Sequence, residues 1–164
     1  MPWTTPDTRT PGDVLSASAH NTYIRDNLLY VHSGKPLAVL ARNNGGPYTT
    51  GAAAGWVAVD ATHLALTLTL STGRALITFT GNVYASVGLN LGLDVDIDGA
   101  RLGGSDGIAR VYADSTTRPV SFAVLRAGLS EGAHTFRLMW KASADTAYLH
   151  ADATLLAHFA VAEW

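Results

Sequence analysis

"HLALTLTLS", His63 to Ser71, sets leucine at positions 64, 66, 68 and 70 with small or polar residues between them. Side chains of an extended strand point alternately to opposite faces, so a period of two predicts a strand with one face in a core and one toward solvent. The pattern recurs downstream. "ALITFTGNVYAS" sets Ile77, Phe79 and Val83 against Thr78, Thr80 and Asn82, and "LNLGLDVDID" directs Leu89, Leu91, Leu93, Val95 and Ile97 inward. "RPVSFAVL" does the same with Val120, Phe122 and Val124, "HTFRLMWKA" with Phe136, Leu138 and Trp140, and "ATLLAHFAVAEW" with Leu155, Ala157, Phe159 and Val161. Turn-forming runs such as "STGR", "DGARLGG" and "LSEGAH" separate them. With "LAVLAR" and "GWVAVD", about eight or nine strands are expected, enough for an all-β, antiparallel two-sheet jelly-roll sandwich over residues 36–164.

The front of the chain reads differently. Residues 1–15 hold three of the six prolines, which favours an extended arm. Residues 16–34 then carry the only helical spacing. In and around "HNTYIRDNLLYV", His20 to Val31, the residues Ala17, Ile24, Leu28 and Val31 fall on one face, with Ser16 or Ser18 as N-cap and Gly34 in the C′ role. A helix of this length is marginal alone and needs a partner for its apolar stripe, so these four residues are the candidate seam for trimerisation or attachment. At 1.5 Å per residue the helix is only about 26 Å long. The arm can reach about 50 Å.

Charged residues make up 15% of the 164, whereas ordinary globular domains carry roughly 25%. So little charge implies that part of the surface is covered by other subunits. A formal charge of -2 argues against nucleic-acid or anionic-membrane partners. There is no cysteine, so no disulfide, thiolate metal site or cysteine nucleophile is available. The opening residues lack the basic start and apolar core of a signal peptide, and no apolar run approaches a membrane span.

Several groups of residues carry possible chemistry. "GGSDG", Gly103 to Gly107, matches the G-x-S-x-G of a nucleophile elbow, with Ser105 as nucleophile and Asp145 and His158 as permissible partners. A strand-turn-strand context contradicts it, and no catalytic residue is assigned. "DVDIDG" opens like a calcium loop with Asp94, Asp96 and Asp98, but its twelfth position is Ser105 in place of the closing acid. The favoured reading is a strand whose solvent face carries three acids and which turns at Asp98-Gly99; their mutual repulsion would be relieved by a cation or a neighbouring arginine. His150, Asp152 and His158 could approach one another from neighbouring strands, while the remaining histidines, 20, 32, 63 and 134, are scattered. No cofactor motif occurs. Trp56, Tyr84 and Tyr112 are the aromatics that could face a ligand such as a host-surface glycan.

"RTPGDVLSASAHNTYIRDNLLYV", Arg9 to Val31, resembles the N-terminal segment of small structural proteins of tailed bacteriophages and prophages, in which an arm with a G-D-V step runs into an N-T-Y-x-R-D-N helix. Downstream, "LSEGAHTFRLMWKASADTAYLHAD" and the closing strand resemble the trimeric jelly rolls of the tumour-necrosis-factor and complement globular-head type. The resemblance implies a homotrimeric, non-enzymatic virion protein, partnered by itself and by major capsid or tail proteins. Its arm and helix would be the attachment end and its sandwich the part displayed. A glycan- or receptor-binding head is the alternative, and a hydrolase using Ser105 a remote one.

Overall fold

A computed structural model describes residues 4, 5, 8, 16–26, 28, 35–42, 46–52 and 55–164. Twelve strand segments fill it: β1 (Leu37–Arg42), β2 (Tyr48–Thr50), β3 (Val57–Ala58), β4 (Ala65–Leu70), β5 (Ala75–Ala85), β6 (Leu89–Ile97), β7 (Ala100–Arg101), β8 (Ala109–Ala113), β9 (Arg118–Arg126), β10 (Gly132–Ala142), β11 (Ala147–Leu149) and β12 (Ala157–Glu163).

The excess over the expected eight or nine has a simple origin. Long strands are broken into collinear pieces that share one neighbour: β11 and β12 both lie along one edge of β5, β7 and β8 along β6, and β3 and β4 along β10. With β1 and β2 likewise joined, the sandwich has eight strand positions, four in each sheet. Sheet A runs β1/β2, β12/β11, β5, β9 and sheet B runs β3/β4, β10, β6, β7/β8. In chain order this is first-eighth-third-sixth over second-seventh-fourth-fifth, the doubly wound Greek key of a jelly roll.

The core follows the leucine alternation. Leu64, Leu66, Leu68, Leu70, Ile77, Phe79, Val83, all five inward residues of β6, Phe136, Leu138, Trp140, Phe159 and Val161 are buried between the sheets. Glu163 ends the last strand inward and nearly buried, where its carboxylate accepts the backbone N–H groups of Ser71 (2.6 Å) and Thr72 (2.5 Å). That satisfies the turn between β4 and β5 and ties the C-terminal strand to it.

Residues Ala17–His20 form the α-helix α1, directly preceded by Ser16, and Asn21–Asp26 continue it as a π-helical turn. The i→i+5 bonding adds a residue to that turn and shifts the face presented beyond it, so the stripe is not strictly periodic. Ala17, Ile24 and Leu28 are exposed, the last two at 42% and 63%. Val31, Gly34 and most of the predicted arm lie outside the described residues.

Candidate functional site

The outward positions of β6 are Asn90, Gly92, Asp94 and Asp96, and with Asp98 in the turn that follows they organise the outer face of sheet B. Asp94 and Asp96 do not lie in solvent as expected; they are 0% and 6% exposed. The reason is the segment between β7 and β8. Leu102 N–H bonds Val95 O at 2.9 Å and Ile108 N–H bonds Leu93 O at 2.8 Å, so residues 103–107 bulge outward over Asp94. Asp94 Oδ1 accepts the Gly103 N–H at 2.9 Å and Oδ2 pairs with Arg101 at 2.6 Å. Asp96 takes the Gly99 N–H at 3.0 Å and Arg137 at 3.3 Å.

Asp98, which is exposed, takes His134 Nδ1 at 2.6 Å and the Thr135 N–H at 2.8 Å. The Thr135 N–H, with His134 second, holds the Asp98 carboxyl below its usual range. The bond to Asp98 raises the His134 imidazole above 6.5. The repulsion among three acids is therefore relieved by two arginines and a histidine from β7 and β10. No group of three or more metal-ligating side chains is assembled among the described residues. Asp98 (φ 53°) and Gly99 (φ 93°) make the two-residue turn into β7 that was read from the sequence.

A cleft of about 170 Å³ opens beside this charged row, lined by Trp56, Asn90, Gly92, Ser105, Asp106, Arg110, Lys141 and Ser143. Strand register explains its position. Lys141 lies opposite Gly92 and Gly92 opposite Arg110, while Trp56 stands one residue before Val57, the partner of Trp140. One row across four strands is thus Trp56, Lys141, Gly92, Arg110. Gly92 leaves the middle of the row empty and the Trp56 ring reaches over it: a Cβ at Gly92 would fall 2.8 Å from that ring. The Arg101 guanidinium stacks 4.5 Å from the ring centroid, which fixes the indole while the same arginine neutralises Asp94. At Gly107, with φ +80°, a Cβ would fall 2.4 Å from both Leu93 O and the Trp56 ring. Only glycine lets the bulge close over the indole there.

The other candidates separate cleanly. Ser105 is exposed in the bulge on the outer side of sheet B, with β8 and no helix after it; Asp145 is exposed in the turn after β10, and His158 is on the outer face of sheet A. Ser105 and His158 have the whole sandwich between them, so no triad forms. His150 and His158 are not on paired strands: β11 and β12 lie end to end along β5. His150 Nδ1 meets Asp152 at 3.1 Å just beyond β11. Asp152 also accepts the N–H groups of Leu155 and Thr154, which, with His150, lower its carboxyl. Of the three aromatics, Trp56 and Tyr112 share the outer face of sheet B, Tyr112 being 57% exposed and paired in register with Asn90. Tyr84 is on the opposite face, stacked on Tyr148 at 4.5 Å. Lys141 and Asn90 escape sequence reading; the available signal is Gly92, a glycine at an outward strand position, which marks a place something else must fill.

The outer face of sheet A has a different character. Across β1, β12, β5 and β9 its outward residues include no Asp, Glu, Lys or Arg, and Leu37, Val39 and Leu125 are 61%, 53% and 56% exposed. Between them stand Ala160, Ala162, Thr78 and Ala123. The face mixes these apolar side chains with Thr80, Asn82, Ser121 and His158, and among the described residues it carries no carboxylate, lysine or arginine.

No protein-family model and no curated protein matches the chain. Solved structures do. A chain of the structure of infectious bursal disease virus, Gx strain, superposes with a TM-score of 0.53 at 15% identity, over 78% of this chain and 32% of that one. A chain of the T13 IBDV viral particle gives 0.48 at 10%, over 79% and 36%. The likeness is one of fold. The chain spans about a third of the length of these viral chains.

Proposed function

We propose that the chain is a non-enzymatic structural protein of a phage or phage-like particle, a homotrimer that decorates or completes the capsid or tail. The observation that carries this reading is the outer face of sheet A. Interfaces between copies of one chain are apolar at their centre and depleted in charge, and a face without carboxylate, lysine or arginine meets its own copy without a charge mismatch. The jelly-roll likeness to a chain from a virus structure supports the reading, as does the phage-like wording of the N-terminal segment. The arm and the helix with Ala17, Ile24, Leu28 and Val31 are the attachment end, toward major capsid or tail proteins.

Sedimentation tests it. The intact chain is expected to run at three times the chain mass, and Thr78→Lys, at the middle of the face, to run as a folded monomer with unchanged far-ultraviolet dichroism. A wild-type mass equal to one chain would overturn the reading.

A further inference from the structure

The cleft on sheet B holds groups that the fold does not use. Lys141 is half-buried and forms no ion pair among the described residues, and the side-chain amide of Asn90 likewise has no hydrogen-bond partner there. A lysine lining a cleft without a counter-charge favours an incoming anion. Among the described residues Arg110 at the mouth is held only by Asp106, at 3.3 Å with both side chains exposed, an ion pair that a ligand carboxylate can replace. The cleft therefore carries two cations against one carboxylate, on a chain whose net charge is -2.

The remaining lining limits the ligand. Trp56 supplies an apolar wall that Arg101 holds in place, while the Asn90 amide and the hydroxyls of Ser105 and Ser143 surround the opening. Apolar wall, amide, hydroxyls and a cation together suit a polar ring that bears a carboxylate. Drug-sized ligands need roughly 300–1,000 Å³. A cleft of about 170 Å³ takes one ring. We propose that it binds a single acidic sugar residue, of the uronate or sialate kind, with the carboxylate at Lys141 and the ring against Trp56. The proposal goes beyond the structural role and does not rest on it, because the cleft is on the sheet opposite the proposed interface.

The test is a titration of the full ¹⁵N-labelled chain with glucuronate, and with glucose and acetate as controls, followed by transverse-relaxation-optimised NMR. Glucuronate is expected to shift the amides of Asn90, Gly92 and Ser105 and the Trp56 indole N–H, with a dissociation constant on the order of millimolar. Glucose and acetate should bind at least ~10-fold more weakly, each lacking half of the recognised features. Lys141→Gln should weaken glucuronate at least ~10-fold, as loss of a charge-assisted bond predicts, with the rest of the spectrum unchanged. Absence of shifts at these residues would overturn the proposal. So would equal binding of acetate, equal binding of glucose, or an affinity indifferent to Lys141→Gln. All are read site by site, so a monomeric result for the chain leaves this test unaffected.

Discussion

Asp94 shows how one residue's environment follows from the chain around it. Its carboxylate is fully buried, and Arg101 is its only ionic partner among the described residues. Removing one member of such a pair leaves the other buried and uncompensated, at a cost of about 3 kcal/mol or more. Arg101→Ala is therefore expected to lower the urea midpoint well beyond an ordinary surface change and to free the Trp56 ring, seen as altered tryptophan emission. Unchanged stability would mean that the backbone N–H groups of Val95 and Gly103, both bonded to Asp94 Oδ1, alone suffice for it.

His134 gives a pH dependence. Its folded value is raised by Asp98, so its stabilising contribution is fully present below 6.5 and is lost as pH rises through the raised value. Asp98 contributes above 3.8, and its share is lost as pH falls through its lowered value. Urea midpoints measured from about pH 5 to pH 9 should fall across the alkaline half for the wild type and much less for His134→Gln.

At the scale of elements, the long strands were legible and the short ones were not. Four or five alternations in β4, β5, β6 and β10 leave little ambiguity, whereas β2, β7 and β11, of three, two and three residues, are too short to show a period. The bulge at 103–107 was seen as glycines and a motif, but what it covers depends on Asp94 in another strand. That the chain turns helical after Ser16 was legible, and its π-helical turn was not. Because Ile24 is 42% exposed, outside the core, Ile24→Asp should leave the melting temperature of the sandwich unchanged. The same variant should lose co-sedimentation with particles, by the attachment reading. A variant that unfolds would instead show the helix packed on its own sandwich.

For the whole molecule, the two sheets divide the surface by chemistry. Sheet B turns outward a row of matched charges and a cationic cleft; sheet A turns outward, among the described residues, a face without carboxylate, lysine or arginine. Association through that face should persist when salt is raised to about 1 M, where the screening length is only about 3 Å. Dissociation by salt would point to the charged sheet as the interface. The low charge content raised the expectation of a covered surface, and the placement of those charges makes sheet A the candidate face.

The sequence by itself determined the class of fold, the core and the turn at Asp98-Gly99, because alternation and turn chemistry are local properties of the chain. Tertiary structure decided the rest: that Asp94 and Asp96 are buried and paired, that Ser105 and His158 are on opposite faces, and that Lys141 and Trp56 line one cleft beside Gly92. Each depends on strand register between distant segments, and a period of two names the face of a side chain without naming its neighbour.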